Sequence, residues 1–437
     1  MHQNDKAGRQ TPFWGMWGIL SIALLIRWAA YYYYNFIYQT PSAMILSPIS
    51  DEATTYENLA RQILDGNGLS QELFANRPPL QPMFIALVYL ITGTTNPLMA
   101  AFAQTFVSGG ISLLGYRIAG EMGASVRVQQ LAGFIVAIDP ASIIVGLTLM
   151  AETLSNFFLA VSLLFSVRLL RNHRARDAAA AAAGLALATL ARPNSIYFFG
   201  FMAIPIICLV PRWPKRLLLY LSIFAIGVLP WHLRNHIYNN LFTFSTVGNF
   251  NLLFYKGVAV EHWATGEKPT DIEERLAYEV DQRLGTAEPR ETYDYSSKWK
   301  FFVTNDPEKN RVITEMAIEI YRAHPLTYIL VTPLHLVKLL AFTNLLASAG
   351  NAKWLELAFN ILFYSLAMLG CVLFWKKRVW TGLSVAAIPS LYFLAVPLIT
   401  GGIQDTRART TISICLAIMA AEGAVWLWER QQQPRPV

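Results

Sequence analysis

The sequence predicts an all-α polytopic membrane protein of about ten to twelve transmembrane helices, with interfacial helices and one polar domain outside the bilayer. Three observations carry that class. Charged residues make up only 14% of the 437 residues and hydrophobic ones 54%, whereas soluble globular chains carry about 25% charge. Apolar runs near the about 20 residues needed to cross a bilayer recur along the chain. Lys and Arg gather in the short connections between those runs. The same balance excludes a disordered chain, which needs low hydrophobicity and high charge. The 26 glycines show no period and there are only 3 cysteines, so collagen-like and disulfide-rich classes fall as well. Cys208, Cys371 and Cys415 lie far apart in apolar runs, read as small buried hydrophobes with no disulfide framework or CxxC metal site. The net charge of +7 bears on topology, and no nucleic-acid partner is expected.

Each element follows in order. Run 13–34 is too long for a signal-peptide core and no small-residue cleavage site follows it. It reads as an uncleaved span with Trp14, Trp17 and Tyr31 to Tyr34 as interfacial aromatics. Further apolar runs cover 98–118, 129–149, 152–170, 178–191, 195–210, 217–233, 354–375, 380–399 and 411–428. Arg171, Arg174 and Arg176 form one basic cluster, Arg212, Lys215 and Arg216 a second, and Lys376, Lys377 and Arg378 a third. Arg117 and Arg127 flank a fourth short connection. Placing all four inside, together with the N-terminus, requires about ten crossings and a C-terminus on the inner side. Segments 80–93 and 326–342 are then left over. The first is short, and the second carries Pro333, His335 and Lys338. Both read as re-entrant or interfacial helices on the outer face, with short crossings of both as the competing topology.

Two segments lie outside: 35–79 and 235–325. Residues 261–319 hold 14 of the 28 acidic side chains. Within them, 271–284 combines i,i+4 charge pairs with an apolar stripe, the pattern of an amphipathic helix. The resulting division is 1–233, a transmembrane module that includes loop 35–79; 234–325, an outer loop domain; and 326–437, the C-terminal membrane helices.

Several positions could carry chemistry. Ser50-Asp51-Glu52 follows the first span, and two adjacent carboxylates near a membrane surface are costly to bury without a partner. One of them could be a general base. Equally, Ser50 is a good N-cap and acids favour a first helical turn. Residues 56–68 read as an interfacial helix stopped by Gly66 and Gly68. Asn76-Arg77-Pro78-Pro79-Leu80-Gln81-Pro82 is a rigid turn back into the membrane. Arg77 could clamp a phosphate there or snorkel to lipid headgroups. Asp139-Pro140, Glu152, Arg192, Arg234 beside Asn235, and Arg407 with Arg409 all stand at outer ends of apolar runs. Ordinary snorkelling accounts for one or two such arginines more readily than for five converging ends. A face with several cations and a few carboxylates suits an anionic headgroup plus an acid–base step. His232 and His236 are four apart, as a zinc pair would be, though no acid adjoins them. The stretch 242–257, aromatic and Asn-rich with Asn251 near its centre, reads either as a sugar-stacking loop or as an edge strand and turn. There is no GxxxxGK[ST], no GxGxxG after a strand and no HExxH, so neither an ATP-driven pump nor a dinucleotide enzyme has a visible site.

Taken together, these motifs resemble the GT-C superfamily of polyprenol-phosphate-sugar-dependent membrane glycosyltransferases. The likeness is greatest to the bacterial branch of family 39, which groups with protein O-mannosyltransferases and the lipid A aminoarabinose transferase. The carrying residues are Asp51-Glu52-x3-Tyr56; Arg77-Pro-Pro-Leu80-x-Pro82; Pro140 with Ala151-Glu152; Gly184 to Arg192-Pro193; Pro230-Trp231-x2-Arg234-Asn235; and Ser245-Thr-x-Gly248-x2-Asn251. The resemblance implies a GT-C-like helical bundle and an inverting transfer from a polyprenyl-phosphate sugar to an acceptor hydroxyl on a glycolipid, glycan or protein. It implies Asp51 as the acceptor's general base with Glu52 beside it, Arg77, Arg192 and Arg234 at the donor phosphate, and Tyr56, Asp139, Glu152, Asn235 and Asn251 around the pocket. Gln404-Asp-Thr-Arg407-Ala-Arg409 departs from the expected Arg-Tyr-Arg followed by proline. Metal dependence varies among relatives, so a divalent cation is allowed as a cofactor and none is mapped. The implied setting is a bacterial inner membrane with the site facing the periplasm or exterior. A secondary transporter or lipid-linked-sugar flippase is the competing function, though it predicts inverted repeats and mid-membrane charges. A non-catalytic assembly subunit would not need these charges to converge.

Overall fold

A computed structural model of the chain describes residues 13–37, 52–69, 76–289, 301, 306–341, 352–401 and 407–432. Among these residues there is no strand, and the protein is a large helical membrane protein. Among the described residues, six helices are long and apolar enough to cross a bilayer, or seven if one bent pair counts as a single span.

Helix α1 (Phe13–Tyr32) runs on into a π turn, Tyr33–Ile37. The amphipathic α2 (Glu52–Leu64) buries Ala53, Tyr56, Leu59 and Ala60 on one face. It stops where Gly66 and Gly68 take positive φ, at 83° and 58°, a conformation open to glycine without steric cost. Helix α3 (Leu80–Thr92) has 13 residues, about 20 Å at 1.5 Å per residue, too short for a hydrocarbon core of about 30 Å. Next come α4 (Pro97–Glu121), N-capped by Asn96, and α5 (Val126–Ile138), N-capped by Ser125.

The run expected to be one span over 129–149 is broken. Between α5 and α6 (Pro140–Leu147) the axis turns by 53°. Pro140 has no N–H to give the ladder, and the residue before a proline is driven out of the helical region. Asp139 accordingly has φ −60° and ψ 112°.

Helices α7 (Glu152–Asn172) and α8 (Ala175–Ala191) pack along their lengths. The alanine face of α8 and Gly184 make this possible, since a Cβ on Gly184 would come 2.9 Å from the Ser162 nitrogen. Small residues let membrane helices approach closely, and Ser162 Oγ and Ser155 Oγ donate across the gap to the carbonyls of Ala181 (2.8 Å) and Ala188 (3.1 Å). With 17 residues, α8 is about 25 Å long, so the expected span 178–191 falls short of the usual length. A 3-10 turn, Pro193–Ser195, leads to α9 (Phe198–Leu209) and then α10 (Trp213–Asn239).

Among its described residues the outer stretch is a series of helices joined by short turns. It contains α11 (Val247–Asn251), a π turn Leu252–Gly257, α12 (Val258–Thr265), α13 (Pro269–Leu284) and α14 (Pro307–Ala323). Its own core joins Phe250, Phe254, Ile272, Leu276, Val280 and Ile313. The amphipathic pattern at 271–284 is α13. Helix α15 (Pro325–Ala341) is apolar again, with exposed Leu326, Ile329 and Leu330. The chain ends with α16 (Ala352–Lys376), α17 (Trp380–Gly382), a π turn Leu383–Ala387, α18 (Ile388–Thr400), the short α19 (Arg407–Thr410) and α20 (Ser413–Gln432).

Candidate active site at the helix breaks

The Asp139 break places a carboxylate inside the bundle, and α19 brings the opposite charge. Asp139 and Arg409 are both without solvent exposure. Arg409 Nη2 donates to Asp139 Oδ1 at 2.7 Å and Nη1 to Oδ2 at 3.3 Å. Ser142 Oγ and Ser413 Oγ also donate to Oδ2, at 2.6 and 2.8 Å. The two-donor arginine contact is the strong form of ion pair. From the other side Arg27 of α1 fills the break. Its Nε donates to Ser108 Oγ at 2.7 Å and its Nη1 to the Ala137 carbonyl at 3.1 Å. The last carbonyls of α5 carry the negative end of the helix dipole, which is where a cation is stabilised.

One short helix ties this node to a second. Arg407 shares α19 with Arg409, and its Nη1 lies 3.9 Å from Glu152 Oε1 and 3.5 Å from Met150 Sδ. Arg192, at the end of α8, brings its Nη1 to 3.0 Å from the same carboxylate oxygen. Thr410 on α19 accepts a 3.0 Å hydrogen bond from Asn156 Nδ2, one turn along α7 from Glu152. Glu152 is fully buried, yet among the described residues neither of its oxygens accepts a hydrogen bond of good geometry. Two guanidiniums thus face the one Glu152 carboxylate.

Buried amides hold the backbone around Glu152. Gln81 Nε2 donates to Gln104 Oε1 at 3.0 Å and to the Leu149 carbonyl at 3.2 Å, while Gln104 Nε2 donates to the Thr148 carbonyl. The non-helical stretch before α7 thereby finds partners for its carbonyls, as backbone at membrane depth must.

The remaining candidates form an adjoining group. The Arg77 guanidinium lies 5.4 Å from the ring centroid of buried Tyr56. Its neighbour Asn76 is gripped by the outer loop: Ser245 Oγ donates to the Asn76 carbonyl at 2.7 Å and Thr246 Oγ1 to its Oδ1. Arg234 Nε donates to the Leu69 carbonyl at 2.8 Å and Nη1 to Asn235 Oδ1 at 2.8 Å, with Trp231 and Tyr238 rings each 5.2 Å away. Asn235 Nδ2 donates to the carbonyls of Thr243 and Phe244. Arg234 and Asn235 thus fasten both outer segments to the end of α10. Asp51 lies outside the described residues, and Glu52 opens α2. Asn251 is half-buried at the end of α11, on the loop domain. The edge-strand reading of 242–257 does not hold: 247–257 is helix and π turn, and Phe242 and Phe244 lie against His232 at 5.5 and 5.3 Å. His232 Nδ1 is 3.2 Å from the Val228 carbonyl. Among the described residues no group of three or more His, Cys, Asp and Glu could hold a metal ion.

Sequence reasoning missed Arg27, Gln104, Glu356 and Lys256. Arg27 had a signal, a lone cation inside an apolar run, and such residues are functional candidates by default. Glu356 is buried on α16 within electrostatic reach of Arg409. Lys256 has no exposed surface. Its Nζ donates to Thr332 Oγ1 at 3.0 Å and lies 4.7 Å from the Tyr328 ring. Burial pushes its amine down to about 8.

No family model and no curated protein matches the chain. Among solved structures it is similar to an apo-form oligosaccharyltransferase of Archaeoglobus fulgidus, with 12% identity and a TM-score of 0.46, over 97% of this chain and 52% of that one. It is similar to the same archaeon's oligosaccharyltransferase AglB in complex with an inhibitory peptide and a dolichol-phosphate, with 13% identity, a TM-score of 0.40, and 98% and 53% of the two chains covered. A third likeness is to ArnT from Cupriavidus metallidurans bound to undecaprenyl phosphate, with 14% identity, a TM-score of 0.42, and 94% and 78% covered. The chain spans about half the length of the archaeal enzymes. At TM-scores below 0.5, no residue of this chain takes its role from these likenesses.

Proposed function

We propose that this protein is an inverting GT-C-type glycosyltransferase that moves a sugar from a polyprenyl-phosphate donor to an acceptor hydroxyl at the outer membrane face. The single observation that carries the reading is the buried Glu152 carboxylate facing both Arg192 and Arg407 inside a membrane bundle. Such a cluster of guanidiniums suits a lipid phosphate. As the anomeric bond breaks, negative charge grows on the leaving phosphate, and guanidiniums already in place stabilise that state more than the ground state. Arg77, held over Tyr56 by the gripped Asn76 turn, supplies a further cation. The attacking hydroxyl needs a base on the far side of the sugar, the role assigned to Asp51 with Glu52 beside it. Arg234 and Asn235 hold the outer segments over the site. The acceptor is a glycolipid, glycan or protein, and the site faces the periplasm or exterior of a bacterial inner membrane.

The test is a panel of radiolabelled polyprenyl-phosphate sugars assayed with purified protein and its Asp51→Asn and Arg77→Ala variants. One donor is expected to support transfer. Asp51→Asn loses turnover while staying folded, and Arg77→Ala raises the apparent KM for the donor. Full turnover by Asp51→Asn would remove the base assignment, and an unchanged donor titration in Arg77→Ala would remove its phosphate role.

A further inference from the structure

A groove of about 710 Å³ opens between α1, α5 and α20. That volume falls within the range of about 300–1,000 Å³ typical of ligand sites. Its walls are the apolar side chains of Ile22, Leu131, Phe134 and Val425, with Gly18 leaving open space where a side chain would stand. One end is polar. Arg127 and Trp428 line it, with the guanidinium 4.4 Å from the indole ring centroid, and Glu429 stands 3.6 Å from Arg127 Nη1. Both charges are more than half exposed, so their mutual attraction is weak and each keeps room for another partner. Arg127 follows the α4–α5 connection, where Arg168 pairs with Glu121, and Lys377 pairs with Glu422 on α20 nearer the same end.

The geometry points to a phospholipid site, with one acyl chain in the groove and a phosphate–ammonium headgroup at its mouth. Charge complementarity selects this occupant. A phosphate fits Arg127, an arginine held by its ring contact. A primary ammonium one ethylene unit away fits Glu429, which a purely anionic glycerol headgroup would leave facing a negative charge. A trimethylammonium group carries the right charge and no N–H to donate, so it binds less well. The site is independent of the transferase reading.

The experiment is native mass spectrometry of the purified, delipidated chain titrated with phosphatidylethanolamine, phosphatidylcholine and phosphatidylglycerol of identical acyl chains. Phosphatidylethanolamine is expected to bind first and several-fold more tightly than the other two. Gly18→Leu, which fills open groove and has no neighbour to meet, lowers occupancy of that first site several-fold. Arg127→Gln does the same, and Glu429→Gln removes the preference over phosphatidylglycerol while binding persists. Equal binding of the three lipids, or an unchanged first site in Gly18→Leu and Arg127→Gln, overturns the assignment. So does a dimer that Gly18→Leu dissolves, which would give the groove to a second copy of the chain.

Discussion

Replacing Asp139 by Asn tests the buried node most sharply. The carboxylate takes four hydrogen bonds, two from Arg409 and one each from Ser142 and Ser413, at 2.6–3.3 Å. With its oxygen in the Oδ2 position, asparagine keeps both serine hydroxyls and Arg409 Nη1, and its NH₂ group is set against Arg409 Nη2. The lost hydrogen bond to a charged group costs about 1.5–3 kcal/mol, and the Arg409 charge left without a counter-ion adds to it. This agrees with about 3–5 kcal/mol for breaking a buried pair by removing one partner. Arg27 stands on the same break, so the loss leaves two cations with too little negative charge. The assay is denaturant unfolding of purified protein in mixed micelles. Asp139→Asn is expected to fall about 3–5 kcal/mol below the parent. Asp139→Asn combined with Arg409→Met removes the orphaned charge and recovers at least about 1 kcal/mol of that. Full recovery is not expected, because Arg27 remains. A single variant within about 1 kcal/mol of the parent, or a double variant no better than Asp139→Asn, would refute the reasoning.

Further outcomes follow from other contacts. Lys256, lowered by burial from 10.5 to about 8, makes stability rise with pH. Between about 8 and 10.5 the unfolded chain holds a proton that the folded chain has released. The gain is at most about 3 kcal/mol, less whatever the charged amine recovers from Thr332, and Lys256→Met should lose the slope in thermal unfolding read from pH 7.5 to 10.5. Gly370→Ala should cost about 1–3 kcal/mol or prevent folding, because its Cβ would run into the Met419 carbonyl where α16 packs on α20; size-exclusion and unfolding measurements decide it. Arg283, paired on the outer surface with Glu279 and Glu319, is solvent-screened, so Arg283→Ala should change stability by less than about 1 kcal/mol, and by less again at high salt.

How much of this was readable depended on whether the cause was local. The Asp139 bend is legible from one dipeptide, because proline acts on its own predecessor. Helix α13 is legible from period and charge spacing, and the end of α2 from two glycines. The sequence also marks Asp139, Glu152, Arg192 and Arg409 as charges at the ends of apolar runs. It gives no sign of who pairs with whom, since Asp139 and Arg409 stand 270 residues apart. Only packing supplies that partner. Arg27 escaped notice because its run reads as lipid-facing, while the fold turns it inward onto the carbonyls of α5. The π turn at 252–257 and the shortening of α8 have no single-residue signature either. The first-loop Asp51, the residue on which the base assignment rests, lies outside the described structure.

The helix breaks and the charge cluster are one feature, not two. A break at membrane depth exposes carbonyls and N–H groups that no water can satisfy, so the fold must bring polar side chains to it. Gln81 and Gln104 serve the stretch before Glu152, and Arg27 serves the end of α5. Those same breaks free Asp139 and the start of α7 from regular helix, which lets Asp139 and Glu152 face α19 at all. A continuous helix through 129–149 would satisfy its own backbone and would need no arginine. Broken, it must recruit cations, and each recruited cation needs an acid or an anionic ligand to remain buried. Around Glu152 two guanidiniums meet one carboxylate. If the donor phosphate joins that cluster, as the proposed function requires, phosphate or a phosphate-bearing lipid should raise the unfolding temperature of the parent protein. A Glu152→Gln variant, whose pocket is more positive still, should respond to a larger extent. An equal response in Arg192→Met/Arg407→Met, where the cations are gone, would place the anion elsewhere.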